Sequence, residues 1–130
     1  MLSDPLVHIG FHKTGSTWLQ HELFTPDSDR FFPLAPDRSV DQRKYLGKRF
    51  VRDDERYLLS SFDMNTAAIR QAVEAVLGKN DPGDRVPFLS YERLSGNPHA
   101  GSFDARVIAE RIRAAFPDAR IFIVVREQQQ

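Results

Sequence analysis

The stretch Leu6-Val7-His8-Ile9-Gly10-Phe11-His12-Lys13-Thr14-Gly15-Ser16-Thr17 decides the fold class. Its short apolar run ended by a glycine reads as a strand, and the helix-compatible residues from Ser16 to Phe24, stopped at Thr25-Pro26, read as a helix. In the tight loop between them, consecutive backbone N–H groups and the positive end of the helix can converge on one anion. The glycines let the backbone come close, Ser16 and Thr17 offer hydroxyl donors, and Lys13 supplies a mobile positive charge. The unit is strand, phosphate-type loop, helix.

Outward from this unit, strands and helices alternate. Phe31-Phe32-Pro33-Leu34 reads as a short strand that its proline confines to an edge, an end or a bend. The charge-dense segment from Asp37 to Arg56 reads first as a solvated, partly helical excursion, with an acceptor-binding flap as the functional alternative. Ile69, Ala72, Val73, Val76 and Leu77 recur at helical spacing, with Asp63 or Asn65 as cap and Gly78 as stop. Asn80 to Asp84 is turn chemistry, and Val86 to Tyr91 is a strand with Pro87 near its start. Ala105, Ile108, Ala109, Ile112, Ala115 and Phe116 form a core-facing stripe, capped by Ser102 or Asp104 and broken by Pro117. Ile121 to Val125 is a continuous apolar run, the pattern of a central parallel strand covered on both faces, with Arg126 at its end.

This alternation predicts an α/β three-layer sandwich with a mostly parallel sheet. Ligands in such sheets bind beyond the carboxyl ends of the strands, where the segments after Ile9, Tyr91 and Val125 all lie. At 130 residues the chain has room for a single domain or part of one. The 41% hydrophobic and 28% charged residues are the balance of a globular protein. Lys plus Arg and Asp plus Glu both total 18, so no global field favours nucleic acid, and an anion site must be local. The absence of cysteine excludes disulfides, thiolate nucleophiles and Cys-ligated metals, and the four histidines lack metal-ligand spacing. Neither a signal-peptide pattern nor an apolar run long enough to span a bilayer is present, which makes a cytoplasmic location the expectation.

Gly10 and Gly15 have the spacing of a Walker A loop, but Ser16 stands where that loop requires lysine, which disfavours an ordinary nucleotide triphosphatase. The lysine lies instead two residues before Gly15. With this arrangement, His8 to Gln20 resembles the sulfotransferase family, in particular its bacterial members, whose 5′-phosphosulfate loop has the form Lys-Thr/Ser-Gly-Ser/Thr-Thr. Phe88 to Ser95 resembles the strand that ends in the family's Ser-x-Glu segment. Ala119 to Arg126 resembles the strand and arginine that bind the cofactor's 3′-phosphate. The three segments occur in the family's order, and that makes the set far more specific than any one of them.

The resemblance implies a P-loop-containing domain, of which residues 1–130 are the N-terminal part, and a donor, 3′-phosphoadenosine 5′-phosphosulfate, whose sulfuryl group goes to a hydroxyl or amine acceptor. It places Lys13, Thr14, Gly15, Ser16, Thr17, Trp18 and Arg126 around the cofactor. Lys13 would stabilise charge on the bridging oxygen of the leaving phosphate, against the alternative of a solvated loop lysine. Glu92 is the candidate general base, against a structural ion pair with Arg93 or Arg126. His12 can donate to the sulfate or serve as an alternative base. Trp18 either packs behind the loop or contributes to the cofactor pocket. His8 reads as a satisfied core histidine, and His21 and His99 as surface or loop residues.

The family's serine partner to the arginine, and its later helices and basic loop, have no counterpart here, so the sequence reads as a truncated enzyme. The alternatives are a kinase- or NTPase-like nucleotide-binding domain and a catalytically inactive binding module. Small-molecule and carbohydrate acceptors remain open, as do lipid, phenol and peptide ones. If the Ile121 to Val125 strand lies at a sheet edge, pairing into a homodimer is expected.

Overall fold

In a computed structural model, which describes residues 4–10, 16–22, 25, 27–35, 45–51, 65–96, 101 and 104–125, the apolar run after Pro5 forms strand β1 (Leu6–His8). Helix α1 (Ser16–Glu22) and strand β2 (Phe31–Pro33) follow. After a 3-10 turn at Gly47–Arg49 come helix α2 (Thr66–Lys79) and strand β3 (Val86–Ser90). A second 3-10 turn (Glu92–Ser95), helix α3 (Ala105–Ala115) and strand β4 (Arg120–Phe122) complete the order.

The four strands form one sheet in the order β2-β3-β1-β4, all parallel. The steps from β2 to β3 and from β3 to β4 run the same way along the sheet. Right-handed connections then put α2 and α3 on one face, and there the two helices touch. The step from β1 to β2 runs the opposite way, so the connections after β1 and after β3 diverge. Adjacent strands with diverging connections are where an open α/β sheet leaves a crevice at its carboxyl edge.

Local chemistry sets the helix limits. The Asn65 side chain accepts from Ala68 N–H at 3.0 Å and starts α2, as the spacing predicts. The helix passes the expected stop at Gly78 and ends at Lys79, where the Asn80 backbone and side chain both donate to the Val76 carbonyl. Asp104 stands at the N-cap of α3, but its carboxylate makes no capping bond. Pro117 ends α3, and its last carbonyl, from Ala115, accepts from Arg70, which also pairs with Asp4.

Two expectations need correction. Of the charge-dense segment, Tyr45 to Val51 is described, and it is not a solvated excursion. Leu46, Phe50 and Val51 are buried while Lys48 and Arg49 between them face solvent. Phe50 packs against Phe116, and its carbonyl accepts from the buried Arg111 at 3.0 Å. Three apolar side chains outweigh the surrounding charge, because burying each is worth about 1.5–3 kcal/mol. The run Ile121 to Val125 is not a central strand covered on both faces either. Among the described residues its β4 portion is an edge paired with β1 alone, and Ile121 is 49% and Val125 74% exposed. The proline-bearing strand β2 occupies the opposite edge, and Pro87 is the second residue of β3, both as expected.

Candidate functional site

At the carboxyl ends of β1, β3 and β4, three chain segments are hydrogen-bonded together. Tyr91 N–H donates to the His8 carbonyl (3.1 Å), Ile9 N–H to that of Phe122 (3.2 Å) and Val124 N–H to that of Gly10 (3.3 Å). The focus is Gly10, whose φ of +103° is open to glycine but strained for other residues. A Cβ there would lie 3.1 Å from the Glu92 carbonyl oxygen and 3.3 Å from Glu92 Cα. Gly10, where the chain leaves β1, is thus pressed directly onto the turn that begins with Glu92.

That turn is held from several sides. Its own backbone closes through Leu94 N–H to Tyr91 O and Gly96 N–H to Arg93 O, and Ser95 Oγ donates to Glu92 O at 2.9 Å. Leu94 anchors it in the core. Arg93 pairs with Asp104 at 3.7 Å, with both side chains largely buried, which ties the turn to the start of α3. On another side the Tyr91 side chain packs close against Gly47, where a Cβ would come within 2.6 Å of the ring. The segment Tyr45–Val51 therefore buttresses the turn through a glycine that leaves room for an aromatic ring.

Beneath the site, His8 and Ser90 are register partners on β1 and β3, with Nδ1 and Oγ 2.8 Å apart. Both side chains are fully buried, and the imidazole lies beside the Phe122 ring, with centroids 5.4 Å apart. Burial holds the His8 pKa below 6.5, which favours the neutral ring. This buried histidine, bonded to Ser90 through Nδ1, is the core position that the strand predicts.

The expected site residues distribute as follows. Glu92 opens the 3-10 turn at the convergence point, and Ser16 and Thr17 form the first turn of α1. Trp18 is 64% exposed, which overturns its packing behind the loop as core and leaves its ring open to solvent. His21 is on the surface as expected. His12, Lys13, Thr14, Gly15, His99 and Arg126 lie outside the described residues. Gly10 and Val124, each two residues from one of them, are hydrogen-bonded neighbours. Among the described residues no cluster of His, Asp or Glu could hold a metal, and no helix is long and apolar enough to cross a membrane.

The sequence reading missed Asp104 as the partner of Arg93, because it assigned Asp104 to capping and Arg93 to Glu92. It also missed Gly47 and Arg111, which stand in runs whose charge suggested solvent. The signal for Ser90 was present, as a lone hydroxyl closing an otherwise apolar strand. No family model, curated protein or solved structure matches the chain.

Proposed function

We propose that this chain carries the donor-binding side of a sulfotransferase-type site, at the crevice beyond β1, β3 and β4. The observation that supports the reading most is the packing of Gly10 against Glu92 with Val124 alongside. Three segments picked out separately in the sequence meet at one point on the sheet's carboxyl edge. The donor set of the loop after Gly10, a lysine, two hydroxyls and consecutive amides, has the chemistry to hold a phosphate-like group.

In this reading the backbone amides from Thr14 to Thr17 hold the 5′-phosphate of 3′-phosphoadenosine 5′-phosphosulfate, with Ser16 and Thr17 adding hydroxyl donors at the start of α1. When bound, that donor supplies the sulfuryl group, which passes in line to the acceptor oxygen or nitrogen as its bond to the phosphate oxygen breaks. Lys13 neutralises the charge left on that oxygen, and Arg126 grips the 3′-phosphate with its planar fork. Glu92 takes the acceptor's proton, and His12 donates to the sulfate. The exposed Trp18 ring forms part of the nucleotide pocket. The right-handed crossover from β1 to β2 carries α1 to the sheet face opposite α2 and α3, completing three layers. An acceptor of small-molecule or carbohydrate type approaches Glu92 from the Tyr45–Val51 side.

Calorimetric titration with adenosine 3′,5′-bisphosphate and, separately, ATP tests the reading, with Lys13→Ala as control. The expected outcome is selective binding of the bisphosphate that Lys13→Ala abolishes while the fold persists. Preference for ATP would move the protein to the nucleotide triphosphatase or kinase class. No binding of either by a folded chain would leave a module without a nucleotide.

A further inference from the structure

Along α3, beside the Glu92–Ser95 turn, runs a cavity of about 460 Å³. Its walls are apolar, formed by Ile9 just after β1, Ile121 of β4, Leu94 from the turn, and Ala109, Ile112 and Phe116 from the helix and its end. Among the described residues two polar side chains line it, Ser95 and Arg113. The Ser95 hydroxyl is already spent on the Glu92 carbonyl. Arg113 is exposed and takes no part in the ion pairs among the described residues, which join Arg70 to Asp4, Arg93 to Asp104 and Arg106 to Glu110.

The volume lies within the range of roughly 300–1,000 Å³ typical of small-molecule sites. The cavity follows α3 from Ala105 to Arg113, which at 1.5 Å per residue is about 12 Å. An extended peptide would bring backbone N–H and C=O groups that these walls cannot satisfy, at a cost for each buried group. A hydrocarbon tail brings none. Arg113, the charged residue in an otherwise apolar lining, complements an anionic head.

We propose that this groove binds a free, single-chain anionic amphiphile, its tail lying along α3 and its head group, a carboxylate or similar anion, on Arg113. The groove adjoins the proposed donor crevice, sharing Ile9 and the Leu94–Ser95 end of the turn with it, but the amphiphile reading does not depend on a donor binding there.

The test is calorimetric titration of the whole chain with sodium decanoate below its micelle concentration, and with decyltrimethylammonium as the charge-reversed probe. Saturable one-to-one binding of decanoate is expected, with clear preference over the cation. Arg113→Gln, a surface change, weakens it by about threefold, as the loss of an exposed ion pair does. Ala109→Phe, which fills the groove from an exposed helix position, abolishes it with the circular dichroism spectrum unchanged. Absence of saturation, equal affinity for both probes, or decanoate affinity unaltered in Ala109→Phe overturns the proposal. So does uptake only from phosphatidylglycerol vesicles, or sedimentation showing that decanoate acts by dissociating a dimer, which would make a second copy the occupant.

Discussion

His8 and Ser90 show how much a single pair can specify. A histidine with no exposed surface, on a strand between two others, must be held by a neighbour, and the register supplies Ser90 directly opposite. Because burial lowers the imidazole pKa below 6.5, the unfolded chain binds the proton more readily than the folded one. The contribution of His8 to stability is therefore fully present above pH 6.5 and is lost as pH falls below that value toward the folded pKa. Urea unfolding at pH values on either side of 6.5 should show stability declining on the acid side, with a shallower decline in His8→Leu. An NMR midpoint for His8 at or above 6.5 would contradict this. The sequence made His8 legible because its strand was legible. It left Asp104 illegible, because a carboxylate before a helix satisfies the pattern of a cap whether or not the side chain turns toward the helix.

Among the elements, α2 and α3 were the most readable, since apolar residues at helical spacing gather on one side only if the chain is helical, and Asn65 and Pro117 mark their ends. The Glu92–Ser95 turn could not be delimited in that way. Its position comes from long-range partners, namely Gly10, Gly47, Leu94 in the core, and the ion pair from Arg93 to Asp104. Removing one partner of a buried pair leaves a charge without compensation, at a cost of about 3 kcal/mol. Asp104→Ala should lower the urea-derived stability by that order, and adding Arg93→Met should recover part of the loss. Equal stability of Asp104→Ala and the unmodified chain would show that the pair does not fasten the turn to α3. The segment Tyr45–Val51 was misread at this scale. Its charges are evenly spread, and only packing shows that Leu46, Phe50 and Val51 face inward together.

For the molecule as a whole, a mostly parallel sheet was legible from the alternation of strands and helices, but the place of β4 in it was not. An apolar run says that a strand can be covered on both faces, not that anything covers it. Among the described residues β4 is an edge of the sheet, and it and the residues after it carry exposed apolar side chains, Ile123 among them at 44%. Such an edge is a template for pairing with another chain. Sedimentation should reveal concentration-dependent self-association that Ile123→Lys suppresses, since an edge lysine blocks strand addition. A monomer at high concentration would mean that the edge is protected.

The central position of β1 also bears on how the chain comes into being. Its partners on β3 lie 82 residues downstream, as the spacing of His8 and Ser90 shows, and those on β4 lie further still. At ribosomal elongation of about 5–20 residues per second, β1 would emerge roughly 4–16 s before its first neighbour. During that interval an apolar segment meant for the middle of the sheet waits without a partner. The strand that holds the finished sheet together is thus the one most open to chaperone capture or misassembly during synthesis.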